Sequence, residues 1–147
     1  MESHSIRPVE PDDFNSVFGL LEQLWPDKVL DYKAMKEMFT KNLHQPYQHY
    51  VCAVEDSQII GFCSITIKNN LWQQALLGNV DELVVDERYR GRGVGKSLLD
   101  YITGYAIRKG CKRIELDSGF HREEAHQFYE NLGFKKRAFM FTKSLID

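Results

Sequence analysis

Apolar and polar positions change period several times along this chain, and each change marks an element. Ser5–Val9 alternates and reads as a first strand. Pro11-Asp12-Asp13 then opens a helix, with proline in the first turn and acids at its positive end. Its apolar stripe is Phe14, Val17, Phe18, Leu21 and Leu24, and Trp25-Pro26-Asp27 breaks it. A second helix runs from about Asp31 to Leu43, with Met35, Met38 and Phe39 as its buried side chains, and Pro46 ends that segment. Tyr50–Glu55 and Gln58–Ile67 are strands flanking Asp56-Ser57, a two-residue hairpin turn. Lys68-Asn69-Asn70 makes the next turn, before a long strand from Ala75 to Val85. The helix Val94–Lys109 follows, with Gly110 as the C-cap where a positive φ is needed. Arg113–Asp117 is a short strand. Glu123–Leu132 is a helix presenting Ala125, Phe128, Tyr129 and Leu132 on one face, closed by Gly133. Phe134–Arg137 and Phe139–Ser144 read as the last strands.

The predicted order is β-α-α-β-β-β-α-β-α-β-β. Antiparallel hairpins precede a strand-helix-strand crossover, so the fold class is α/β (α+β), with a mixed, mainly antiparallel sheet flanked by helices. No repeat, linker or low-complexity stretch interrupts the pattern, and residues 1–147 read as a single domain.

Composition narrows the function. Hydrophobic residues make up 43% of the 147, the formal net charge is −2 and the pI is about 6.2. That balance gives no electrostatic footprint for nucleic acid or a lipid surface. No apolar run approaches the roughly 20 residues that span a bilayer, and MESHSIRP lacks the apolar segment of a signal peptide. A cytoplasmic protein is expected. Cys52, Cys63 and Cys111 form no C-x-x-C and read as free thiols of a reducing compartment. The five histidines form no H-x-x-x-H pair, and no metal site is expected.

The chemistry concentrates in Val80–Lys96, VDELVVDERYRGRGVGK. A strand runs into Gly91, Gly93 and Gly95, which alternate with Arg92 and Val94 ahead of a helix. Glycines let backbone N–H groups approach an anion with no Cβ in the way. The first N–H groups of a helix lack internal partners and attract phosphate. Arg90, Arg92 and Lys96 add positive charge. The dinucleotide fingerprint G-x-G-x-x-G fails, because its third glycine would fall on Lys96 or Leu98. The loop G-x-x-x-x-G-K-[ST] fits Gly95, Lys96 and Ser97, but its first glycine falls on Arg90.

A third pattern, R/Q-x-x-G-x-G/A, fits at Arg90, Gly93 and Gly95. Here the chain resembles the GCN5-related N-acetyltransferases (the GNAT family), whose loop of this form holds the pyrophosphate of acetyl-CoA. The element order is similar to that family's throughout, and Ala125–Phe134 resembles its A-x-x-F-Y-E-x-x-G-F segment. Glu82–Val85 and Phe141–Leu145 resemble stretches of small-amine members, aminoalkylphosphonate N-acetyltransferases among them. One departure stands out: Arg122 occupies a position where many members carry an asparagine that helps hold the pantetheine arm.

The resemblance implies acetyl-CoA as acetyl donor and a small-molecule primary amine as acceptor, and it leaves a homodimer open. The pantetheine arm would lie along Leu83, Val84 and Val85, and the pyrophosphate on Arg90, Gly91, Arg92, Gly93, Val94, Gly95 and Lys96. Such a reaction needs a base, since an alkyl amine has a pKa near 10.4. Asp81 and Glu82, at the end of the strand, are both candidates, and they point to opposite faces unless a bulge intervenes. Tyr129 stands where the family places a tyrosine that protonates the departing thiolate, and its ring is expected against the sheet. The acceptor pocket would draw on Trp25, Asp27, Tyr32, His44, Tyr47 and Trp72. Two other readings stay open: a non-catalytic acyl-CoA sensor and a small P-loop phosphotransferase.

Overall fold

The computed structural model describes residues 3–146, and the chain divides after Glu115 into two compact units. The first holds five strands: β1 Ser5–Pro8, β2 Gln48–Glu55, β3 Gln58–Asn70, β4 Ala75–Val85 and β5 Cys111–Glu115. They lie in sequence order across one sheet. The first three pairings are antiparallel and β4–β5 is parallel. A parallel neighbour needs a crossover, and helix α3 (Val94–Lys109) supplies it.

Helices α1 (Phe14–Leu24) and α2 (Tyr32–Asn42) follow β1. Pro11–Asp13 forms a short 3-10 turn ahead of α1. The Asp13 carboxylate accepts the Glu10 N–H at 2.7 Å and both forks of Arg7 at 2.8 and 3.1 Å. Of the predicted stripe, Phe14, Val17 and Leu21 join Phe39, Cys52, Phe62 and Val84 in one core cluster, with Phe18 and Leu24 partly buried against it; Leu20, outside the predicted stripe, is buried there too. Phe62 and Val84 place that cluster on one face of the sheet. Helix α3 covers the opposite face, burying Val94, Leu98, Leu99, Ile102 and Ala106. It lies so close that a Cβ on Gly61 of β3 would stand 2.9 Å from Leu98 Cδ1. The start of α3 is therefore clamped beside the end of β4.

The hairpin turn falls at Asp56-Ser57 as expected, with φ of 50° and 65° at the two residues, the signs of a type I′ turn. Three expectations need correction. Lys68-Asn69-Asn70 is not a turn: β3 continues through Asn70, and the turn lies at residues 71–74. The Asn70 side chain accepts the Gln73 N–H at 2.8 Å, so the asparagine closes the strand instead of leaving it. Met38 is 56% exposed, whereas Phe39 one position on is buried. One step is 100° of helix, enough to turn Met38 out.

The third correction lies in the second unit. It contains helix α4 (Glu123–Asn131), closed by Gly133 at φ 95°. Beyond it the expected strands Phe134–Arg137 and Phe139–Ser144 are not formed among the described residues. Phe139, Met140 and Phe141 are each exposed, between 63% and 92%. Strand propensity says that a segment suits a pleated surface, and without a ladder partner it builds nothing.

Candidate active site

Asp81 and Glu82 are consecutive in β4, yet both carboxylates reach the same face of the sheet. The pairing of β4 with β3 runs Ser64 to Glu82 and then Ile65 to Val80, which leaves Asp81 as an extra residue. This is a β-bulge, and it cancels one step of the strand's alternation. Ser64 Oγ donates to Glu82 Oε1 at 2.7 Å, and Thr66 Oγ1 donates to Asp81 Oδ2. Ser64 and Thr66 are two apart on β3 and share a face with Phe62, the face that α1 and α2 cover. Asn79 Nδ2 donates to Asp81 Oδ1 at 2.6 Å, so both Asp81 oxygens accept hydrogen bonds. Glu82 is half-buried and Asp81 exposed.

Tyr50 of β2 is paired with Ser64 on the same face. Its hydroxyl accepts from Asn42 Nδ2 at 2.7 Å. Burial pushes that hydroxyl's pKa up, and the nearby Glu82 and Asp81 carboxylates add to the rise, so it stays protonated.

The parallel pairing of β4 with β5 runs from Leu76 to Asn79 and ends opposite Glu115. From Val80 to Val85 the ladder of β4 is with β3. Leu83, Val84 and Val85 therefore turn every other backbone N–H and C=O away from β3. Beyond Val85, the buried Asp86 accepts from the Arg88 N–H and from Arg88 Nη2, both at 3.0 Å. The Arg88 guanidinium holds that carboxyl below the usual range. Arg90 Nε donates to the Val85 carbonyl at 3.2 Å and ties the loop to the strand end.

Gly91 and Gly93 have φ of 80° and 81°, and a Cβ added to either would meet no atom within 4 Å. Open space over two left-handed glycines is a cradle that side chains would fill. Gly93 is the N-cap of α3 and offers no capping side chain. The opening N–H groups at Val94 and Gly95 precede the intrahelical ladder, at the positive end of the helix. Arg92 lies 3.6 Å from the mostly buried Glu55 carboxylate, its guanidinium 5.2 Å from the centre of the Tyr89 ring. Lys96 Nζ is 2.7 Å from Asp100. In the first turn Ser97 Oγ meets His4 Nε2 at 2.9 Å. The arrangement suits an anion on backbone N–H groups, with arginine forks at its border.

Tyr129 belongs to the second unit, half-buried on α4. Its ring meets Phe128 and Phe134 edge-on, with centroids 5.4 and 5.8 Å apart. Arg122 is the exposed residue before α4, its N–H donating to the Gly119 carbonyl at 3.0 Å. Of the acceptor candidates, Tyr32 stands edge-on to Phe14 and Phe18, and Trp25 packs against the core cluster. Trp72 is 68% exposed, with Arg113 5.0 Å from its ring centre. Cys52 and Cys63 are buried, and burial pushes both thiols up, Cys52 to about 11. Neither is a thiolate nucleophile at neutral pH.

Ser64, Thr66, Asn79, Tyr50 and Glu55 escaped the reading of the sequence. A signal existed for Ser64, which is the one hydroxyl in the apolar run Ile59–Ile65 and so needs a partner. Asn79 is two residues from Asp81, close enough to share its face.

Comparison with known proteins bears on this geometry. Residues 13–134 match the model of the acetyltransferase (GNAT) family. The aminoalkylphosphonate N-acetyltransferase of Salmonella typhimurium is 33% identical over 140 residues, covering 95% of this chain and 90% of that protein. Glucosamine 6-phosphate N-acetyltransferase 1 of Oryza sativa subsp. japonica is 27% identical over 141 residues, covering 92% and 84%. The solved structure of aminoglycoside N-acetyltransferase AAC(6')-Iy in complex with CoA superposes with a TM-score of 0.86 at 21% identity, over 97% of this chain and 95% of that one. That likeness concerns the fold, while the family model and the Salmonella relative reach through β4, the glycine loop and α4. The chain belongs to the acetyltransferase (GNAT) family and is an N-acetyltransferase.

Proposed function

We propose that the chain moves an acetyl group from acetyl-CoA directly to the primary amine of a small molecule, and that residues 1–147 act as one domain in doing so. The observation that carries this reading is a single strand end. There β4 presents two carboxylates, a backbone edge without a β5 ladder, and a glycine cradle leading into the glycine-capped N-terminus of α3.

In this reading the N–H groups at the start of α3 hold the pyrophosphate, with Arg90, Arg92 and Lys96 around it. The outward backbone groups of Leu83–Val85 hold the pantetheine amides as an added strand would be held. The bound thioester supplies the acetyl group. At pH 7 only about one alkyl amine in a few thousand is neutral. Glu82 takes the amine proton, directly or through a water. Asp81, exposed where Glu82 is half-buried, is the less favoured base. Tyr129 gives a proton to the departing thiolate. Buried, protonated thiols support direct transfer with no acyl-enzyme. They also support a reducing cytoplasmic setting. Among the described residues no helix is long and apolar enough to cross a membrane.

For the acceptor, both relatives are named for amines that carry an anionic phosphorus group. We therefore favour a small phosphonate- or phosphate-bearing primary amine. Thermal unfolding with added acetyl-CoA tests the donor half. At a hundredfold excess over Kd the protein should gain about 2.7 kcal/mol. An unchanged Tm at millimolar acetyl-CoA would remove the donor from the account.

A further inference from the structure

We propose that Ser64 is a positioning residue for the Glu82 carboxylate; the proposal rests on Glu82 as the base described above. Ser64 is fully buried and, with Asp86, is one of two buried polar or charged residues among those described. Its hydroxyl donates to Glu82 Oε1 at 2.7 Å and accepts the Glu82 N–H at 3.0 Å. One oxygen therefore holds the same residue at both ends.

The bulge explains why a hydroxyl is wanted there. At a bulge the regular ladder is interrupted and a backbone N–H loses its carbonyl partner. Ser64 Oγ takes the N–H of Glu82, and its remaining proton is thereby aimed at the carboxylate. A free glutamate side chain samples many rotamers. This one is tied by a donor that is itself locked, since Ser64 has 0% exposure and sits between Tyr50 and Glu82 in the cross-strand register. A hydrogen bond donated to a carboxylate also favours its ionised form, the form a base must have at neutral pH. Titratable groups near it include Asp81 on β4, Cys63 on β3 and Tyr50 on β2, and from α2 the uncharged Asn42 reaches Tyr50.

A merely structural serine would satisfy the bulge and leave the chemistry alone. The test is a double-mutant cycle of Ser64→Ala and Glu82→Gln, with kcat/KM followed against pH and each variant's Tm recorded. Ser64→Ala should move the acidic limb of kcat/KM to higher pH and lower its neutral value about tenfold or more, as loss of alignment does. The KM for acetyl-CoA should stay unchanged. In the Glu82→Gln background the same substitution should cost nothing further, because the carboxylate it acts through is gone. Ser64→Thr, which keeps the hydroxyl, should restore the pH profile. If Ser64→Ala does not fold, Ser64→Cys, close in size and a weak donor, carries the same comparison. A variant with lower Tm and an unmoved pH profile overturns the proposal, as do losses that multiply in the double variant; either leaves Glu82 standing as the base. A Glu82→Gln enzyme with wild-type activity and pH profile overturns both.

Discussion

Asp81 and Glu82 sit side by side on one sheet face, but their surroundings differ. Thr66 and Asn79 occupy the two oxygens of Asp81. Glu82 is drawn inward against Ser64. Glu82→Gln should therefore lower kcat/KM by about 10²–10⁴-fold and remove the acidic limb of its pH profile, while Asp81→Asn should leave the profile's shape intact. The reverse pattern in a pH series would assign the base to Asp81. Tyr129→Phe removes one oxygen from a half-buried ring and keeps its edge contacts with Phe128 and Phe134. Its kcat should fall by about 10–10⁴-fold with the affinity for acetyl-CoA close to wild type. Full kcat in that variant would make Tyr129 a packing residue. The sequence shows both acids plainly, but strict alternation would send them to opposite faces. The extra residue that brings them together depends on the register with β3, a long-range pairing that no local pattern encodes.

At the scale of elements, α3 is bounded by two left-handed glycines. Gly93 opens it at φ 81° and Gly110 closes it at φ 93°. Alanine at either site should cost about 1–2 kcal/mol of stability for the left-handed backbone. Only Gly93→Ala should also raise the KM for acetyl-CoA, because its Cβ enters the space over the loop. Equal KM values in the two variants would show that the loop binds nothing. The other end of α3 meets β2, where the His49 ring stacks on Tyr105 at 4.1 Å and 12°. Burial pushes the His49 pKa down, helped by Lys109 and Arg108. The unfolded chain therefore takes up this proton first, near pH 6.5, and stability falls as the pH drops from there towards the lower folded value. His49→Phe should keep the stack and flatten the dependence of Tm on pH below about 6.5; an unchanged slope would assign the loss to other groups. The helices, the first hairpin and the glycine loop were legible because each has local punctuation: Pro11, Asp56-Ser57, Gly93 and Gly110. The end of β3 was misread because Asn69 and Asn70 look like turn residues while still pairing with Leu76 and Ala75.

At the scale of the whole molecule, fold class and family were readable because two motifs and the order of elements agreed. The chain's end was not, since Phe134–Ser144 carries strand-forming side chains but forms no strand among the described residues. The family sets the reaction type, but the near-neutral charge leaves the acceptor open. The decisive measurement is acetyl transfer itself, followed as CoA thiol released from acetyl-CoA across a panel of primary amines that includes aminoalkylphosphonates and glucosamine 6-phosphate, with the acetylated product identified by mass. The account predicts thiol release that depends on the amine and is fastest with a small phosphorus-bearing acceptor. Binding of acetyl-CoA with no turnover on any amine would contradict it and make the chain an acyl-CoA sensor.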